Sequence, residues 1–215
     1  MKKSRRKLIV LGAGGFARQI QWIAQRTEQY DVLGFLDETI ESAGTLNDLP
    51  VYQQLEEFGE SGNGEVFLIS AVGDINLRRC WHNNFSETYQ FTNLIDPSVI
   101  IAPNVRMGSD VILLANSVCG NDCIIGNGVH INWVSIVSHD VCVGDFCNIA
   151  ASVKLTGGCQ LGEAVDMGTN SVVLPNVSIG DRAIIGAGAV VTQNIPKDCT
   201  AVGVPAKIIK SQLIH

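Results

Sequence analysis

Cys119-Gly120-Asn121-Asp122-Cys123-Ile124, Ile125-Gly126-Asn127-Gly128-Val129-His130, Ile131-Asn132-Trp133-Val134-Ser135-Ile136 and Val137-Ser138-His139-Asp140-Val141-Cys142 are four successive hexads whose first residue is apolar and whose fifth is small or β-branched. The first position stays apolar through seventeen consecutive hexads, from Ile95 to Val191. With 46% of the chain apolar, a run of that length has a chance probability on the order of 10⁻⁶. The fifth position continues the rule from Val99 to Ala189, and the second is glycine at residues 108, 120, 126, 144, 162, 168, 180 and 186. The fifth residue of one hexad and the first of the next lie two apart, so a short strand points both inward before the chain turns. The glycines are expected to supply the dihedral angles of that turn. Six residues then form one side of a prism, and three sides form a coil of about 18 residues. The run predicts a parallel β-helix of roughly six coils stacked ~4.8 Å apart, whose hand the repeat leaves open.

The 215 residues leave room for a second small domain before the repeat, and we draw the division as 1–92 and 93–215. A net charge of −6 argues against nucleic acid or an anionic membrane as partner. The basic start, Lys2, Lys3, Arg5, Arg6 and Lys7, is followed by an apolar run of only Leu8 to Leu11, too short for an export signal. No segment approaches the ~18 apolar residues of a membrane span. Seven cysteines, an odd number without a Cys-x-x-Cys pair, predict free thiols in a reducing cytoplasm and no metal site. Cys119, Cys123, Cys147 and Cys159 fall on inward positions of the repeat and read as core residues.

Ahead of the repeat, Lys7 to Leu11 predicts a strand that runs into Gly12-Ala13-Gly14-Gly15-Phe16-Ala17 and then a helix over Arg18 to Arg26. Strand, glycine-rich turn and helix together cradle phosphates, because free backbone N–H groups and the helix dipole face the anion. A second strand, Val32 to Leu36, ends in Asp37-Glu38, where a ribose-binding carboxylate belongs. A polar connection leads to a third strand, Glu65 to Val72, ending at Gly73-Asp74. A helix opens at Asn76-Leu77-Arg78, and a last short strand lies near Tyr89 to Leu94. Some 90 residues suffice for one mononucleotide-binding half, so a nucleotide or nucleotide sugar fits better than a dinucleotide. A purely structural turn is the other reading of the glycines.

Within the repeat, His139 and Asp140 stand two and three residues after the inward Val137, which puts them at a corner and outward. One coil further on lie Gly157 and Gly158. A missing side chain there leaves a slot beside the imidazole, into which the Gly157 N–H is expected to point. An imidazole paired with a carboxylate is the arrangement of a general base whose tautomer is held.

These segments together resemble the NeuD/PglD-type sugar acetyltransferases of the hexapeptide-repeat acyltransferase superfamily. The resemblance is carried by Gly12-Ala13-Gly14-Gly15-Phe16-Ala17-Arg18, Gly34-Phe35-Leu36-Asp37, Ala71-Val72-Gly73-Asp74 with Arg78, and the His139-Asp140 corner with Val143-Gly144-Asp145. It continues in Gly186-Ala187-Gly188-Ala189-Val190-Val191 and Val202-Gly203-Val204-Pro205-Ala206-Lys207. It implies an α/β Rossmann-like domain followed by a left-handed β-helix. It also implies a homotrimer with the cofactor lying between subunits, and acetyl-CoA-dependent N-acetylation of a nucleotide-linked amino sugar for cell-surface glycans. By resemblance, His139 is the base and Asp140 its partner; Gly157, from its place one coil on, is our candidate oxyanion donor. Asn148, Gly157, Gly168, Thr169, Gly186, Ala187 and Lys207 are expected along acetyl-CoA. Gly12, Gly14, Gly15, Phe16, Asp37, Glu38, Gly73 and Arg78 are expected along the nucleotide sugar.

Two positions depart from the family pattern: Asn148 stands where relatives commonly have a second histidine, and Phe16 where some have a histidine that reaches the sugar phosphates. O-acetylation of a sugar hydroxyl and a non-catalytic trimeric scaffold are the alternatives. The outward positions His130, Val134, Ile136, Cys142 and Ile184 are too apolar for full exposure, and predict subunit contacts. His130 is expected directly beneath Asn148, as an interface residue or as a partial replacement for the missing imidazole.

Overall fold

A computed structural model describes residues 5–39, 44–58 and 66–211. Lys2, Lys3 and Glu65 lie outside the described residues. The chain divides into two compact units, Met1–Pro97 and Ser98–His215.

The first unit is built on a six-stranded sheet. Its strands are β1 (Arg6–Leu11), β2 (Tyr30–Leu36), β3 (Gly44–Leu46), β4 (Leu49–Tyr52), β5 (Val66–Ser70) and β6 (Gln90–Phe91), in the order β3-β4-β2-β1-β5-β6. All neighbours are parallel except the β3–β4 hairpin. Central β1 is an unbroken buried run from Leu8 to Leu11, as a parallel strand covered on both faces must be. Helix α1 (Gly15–Thr27) buries Ala17, Ile20, Gln21, Ile23 and Ala24 on one stripe and stops at Glu28 in the left-handed conformation. It begins three residues before the expected Arg18, because the glycine turn passes directly into its first turn. Helix α2 (Ile75–Phe85) buries Arg78 and Trp81.

The stretch read as a polar connection contains the β3–β4 hairpin. It turns on Asn47 and Asp48, both at positive φ (48° and 64°), which suits a two-residue turn matched to strand twist. Its strands are three and four residues long, too short for alternation to stand out in the sequence. The strand expected near Tyr89 to Leu94 is two pieces, β6 and Leu94–Ile95.

The second unit is the left-handed parallel β-helix. Each hexad gives a two-residue strand that pairs in parallel with the strand 18 residues on, so Ile136 faces Lys154 and Val137 faces Leu155. Three sheets result, one of them six-stranded and one five-stranded. The chain closes with an antiparallel hairpin of Cys199–Val202 and Lys207–Ser211. From Val111 to Val191 every first and fifth residue of the hexads is buried. Ile101, by contrast, is 42% exposed, since the first coil has a stacking neighbour on one side only.

The corner glycines have a different cause from the expected one. Residues at positive φ recur every sixth position, at Asn104, Asp110, Asn116, Asp122, Val134 and Asp140 and onward, two residues after the glycine position. Asn and Asp tolerate that conformation through local hydrogen bonds. The second-position glycines are required by stacking: a Cβ on Gly126 would lie 2.7 Å from Asp145 N, and one on Gly144 would lie 2.5 Å from Gly162 O.

Val134, Ile136 and Ile184 are exposed and Cys142 half-buried. His130, expected at a subunit contact, is buried at 1% exposure within the single chain. Ile112, in register beneath it, is fully buried as well.

Candidate active site

The strand Ile136–Val137 delivers His139 and Asp140 to a corner held from both sides. Asp140 N donates to Asn121 O at 3.0 Å on the coil below, and His139 O accepts from Gly158 N at 3.0 Å on the coil above. On this fixed backbone His139 Nδ1 and Asp140 Oδ2 are 2.8 Å apart, with both side chains about two-thirds exposed (66% and 65%). A carboxylate only accepts, so the Nδ1 proton faces Asp140 and Nε2 keeps its lone pair for an incoming proton.

The imidazole lies against Gly157. A Cβ there would come within 2.5 Å of Cε1 and 2.6 Å of Nε2, so glycine is what lets the ring sit in this place. Gly157 O accepts from Asn176 N at 3.0 Å, and among the described residues Gly157 N–H has no acceptor. The histidine–carboxylate pair and the α-carbon of Gly157 therefore stand side by side at one corner.

The core thiols do not compete as nucleophiles at this corner. Cys123 donates to Ser138 O at 2.7 Å, and Cys119, Cys123, Cys147 and Cys159 are all buried. Burial pushes the Cys119 thiol up to about 12, with Cys123 adding to the effect, and burial also raises Cys123 and Cys159. Such thiols stay protonated and inert.

The other groups expected along the acetyl donor gather elsewhere on the prism. Gly168-Thr169 and Gly186-Ala187 follow the strands Asp166–Met167 and Ile184–Ile185 of a different sheet, and so occupy another edge. They stack on each other: a Cβ on Gly168 would lie 2.5 Å from Ala187 N, and Gly188 N donates to Thr169 O at 2.8 Å. Thr169 and Ala187 are exposed. Asn148 is half-buried on that same sheet, in register between His130 and Asp166. Lys207 is exposed, opposite Val202 in the terminal hairpin. One chain thus brings together His139, Asp140 and Gly157, and separately Gly168, Thr169, Gly186 and Ala187.

In the first unit the candidate residues lie at the carboxyl ends of β1, β2 and β5, where open α/β sheets bind ligands. Gly12 has φ +106° and abuts Val72, whose Cγ1 would be 2.6 Å from a Cβ. Gly14 and Gly15 are exposed. Gly14 caps α1 without a side-chain bond, and the first turn carries no acidic residue, a backbone suited to an anion. Phe16 is half-buried and Glu38 exposed. Asp37 Oδ1 accepts from Thr39 N and Oγ1, at 3.0 and 2.6 Å. Gly73 is exposed, and the adjacent Asp74 caps α2 by accepting from Asn76 N and Leu77 N.

Arg78 is a correction. It was expected along the nucleotide sugar, but it is fully buried and its Nη1 donates to Val72 O (3.0 Å) and Gly73 O (3.2 Å). Its charge is engaged by the loop that carries Gly73. Sequence reasoning also missed Asp166, whose Oδ1 accepts from Asn148 Nδ2 at 3.0 Å. The 18-residue spacing that links Asn148 to Asp166 is the signal that would have found it.

Residues 7–85 match the family model described as the PglD N-terminal domain, and residues 158–193 match that of the bacterial transferase hexapeptide, six repeats. PerB from Caulobacter crescentus, solved in complex with CoA and GDP-perosamine, is 30% identical, with 95% of this chain and 97% of that one covered at a TM-score of 0.87. The acetyltransferase domain of PglB from Neisseria gonorrhoeae is 28% identical over 95% of this chain and all of that one, at 0.88; it has also been solved with acetyl coenzyme A. WeeI from Acinetobacter baumannii is 26% identical over 94% and 99%, at 0.86.

Proposed function

We propose a nucleotide-sugar N-acetyltransferase, from the premise that this chain belongs to the NeuD/PglD-type sugar acetyltransferases, its 30% identity to PerB running over nearly the whole of both chains. It is an acyltransferase, and acetyl-CoA is its co-substrate. The acceptor is the amine of a nucleotide-linked amino sugar, a precursor of cell-surface glycan made in the cytoplasm. The observation that carries this reading is the His139–Asp140 pair set against Gly157.

In this scheme residues 1–92 hold the nucleotide sugar and residues 93–215 perform the transfer. The first-turn N–H groups of α1 at Gly14 and Gly15 bind the phosphates, with Asp37 beside the ribose and Arg78 fixing the Gly73 loop from within. Gly168, Thr169, Gly186 and Ala187 line the pantetheine, and Lys207 stands near the CoA phosphates. His139 Nε2 takes the proton of the acceptor amine as it attacks the thioester carbonyl, while Asp140 holds the Nδ1 proton and stabilises the imidazolium. Gly157 N–H donates to the developing oxyanion, and the Asn148 carboxamide donates to the same carbonyl. The acetyl group passes directly to the amine: the tetrahedral intermediate collapses by breaking its C–S bond, and the imidazolium returns the proton to the departing CoA thiolate. Burial of the core thiols Cys119 and Cys123 supports a route without a covalent enzyme intermediate.

The test is to incubate the protein with acetyl-CoA and a panel of nucleotide sugars, following release of free thiol. Release with an amino sugar supports the reading. Release only with sugars lacking the amine means O-acetylation, and release with none means a scaffold. Asp140→Asn should lower turnover by about 10²-fold, less than loss of His139, because Asp140 orients and does not transfer. An equal or greater loss in a folded variant would contradict that division of labour.

We infer a homotrimer, a reading supported by the placing of His139 on one edge and of the glycine ledges and Asn148 on another sheet. Exposed Val134, Ile136 and Ile184 suit the contact. Sedimentation should give three chains at micromolar concentration. Co-expressing His139→Ala with Asn148→Ala subunits should leave about a quarter of the sites intact, as random mixing of a cyclic trimer requires. Activity no higher than in either variant alone would contradict a shared site.

A further inference from the structure

Aspartate is disfavoured in strands, yet Asp166 occupies the outward position of a two-residue strand, half-buried, with the apolar Ile184 in register on its far side. Among the described residues it makes no ion pair. Its Oδ1 instead accepts from Asn148 Nδ2 at 3.0 Å, across one coil. The two carboxamide ends of an asparagine differ only in hydrogen-bond sense, and a free amide would turn either end outward. A carboxylate accepts and never donates. Asp166 therefore fixes the nitrogen end of Asn148 toward itself and leaves the second N–H of that nitrogen as the donor the residue offers. His130, in register on the other side of Asn148, is buried.

We propose that Asp166 is a positioning residue for acetyl transfer: it locks the Asn148 carboxamide in the flip state that presents an N–H to the acetyl carbonyl. This rests on the reading of Asn148 as a donor to that carbonyl. The consequence is selective. CoA lacks the acetyl oxygen, so an effect exerted through Asn148 touches acetyl-CoA and the transfer step and leaves CoA binding alone.

The experiment compares Asn148→Ala, the isosteric Asp166→Asn and the double variant, each checked for trimeric mass and circular dichroism. Turnover is followed by thiol release, and CoA and acetyl-CoA binding by calorimetry. Asp166→Leu, which suits the neighbouring Ile184, replaces Asp166→Asn should that variant fold poorly. Expected is a drop in kcat of about tenfold for Asp166→Asn, with the CoA dissociation constant unchanged, and less than a twofold further drop when the change is added to Asn148→Ala. Asp166→Asn within twofold of the parent, while Asn148→Ala is impaired, overturns the positioning role and leaves the Asn148 reading standing. A tenfold drop that persists in full on the Asn148→Ala background overturns it too, since Asp166 would then act by another route. Asn148→Ala within twofold of the parent removes the Asn148 reading and this inference with it.

Discussion

Replacing His139 by alanine should lower turnover by about 10³-fold or more, with the melting temperature nearly unchanged. Both halves of the expectation come from the corner. The side chain is two-thirds exposed and contributes little packing, while the backbone on either side is held by bonds from Asp140 N to Asn121 O and from Gly158 N to His139 O, which the substitution leaves intact. The imidazole sets its Nε2 against Gly157. Steady-state thiol release with the best acceptor, set beside a thermal melt, checks both. Activity within tenfold of the parent would remove the base assignment.

The second large effect is expected from Gly157→Val. Gly157 does not have a positive φ, so valine brings no backbone strain there, in contrast to Gly158 at +74°. What it brings is a β-branched side chain where even a Cβ would lie 2.5 Å from His139 Cε1. The ring must leave, and with it the alignment of Nε2. Turnover should fall by about 10²-fold while the Gly157 N–H, a backbone group, remains. On a His139→Ala background the same change should cost nothing further in activity, since the group it displaces is already gone. A full additional loss on that background would mean that Gly157 matters for something other than giving room to the imidazole.

The solenoid was legible because its code is short and repeated: inward residues two apart, every six residues, so that a single misfit would have shown. The cause of the glycines was less legible. Gly126 and Gly144 look like turn residues in one dimension, and only the stacking of Asp145 and Gly162 against them reveals a close approach. At the His139 corner the same 18-residue arithmetic found Gly157 above His139, and applied once more to Asn148 it finds Asp166. Arg78 was misjudged because an arginine after a glycine loop has the look of a ligand for an anion; its burial depends on how β5 and α2 pack, which no local pattern encodes. The β3–β4 hairpin escaped for want of length, although Asn47-Asp48 already marked a turn.

The register of Ile136 with Lys154 and Val137 with Leu155 also makes the chain behave like a screw thread. Removing 18 residues from a stretch away from the site would shift everything downstream by one pitch and return every side chain to its own face. Removing six would instead rotate the downstream thread by roughly 120°, still burying a valine or leucine at each inward place but turning the column that carries Gly157 away from His139. Core composition is blind to that rotation. Such a chain would fold with His139 on one edge and Gly157 on the next.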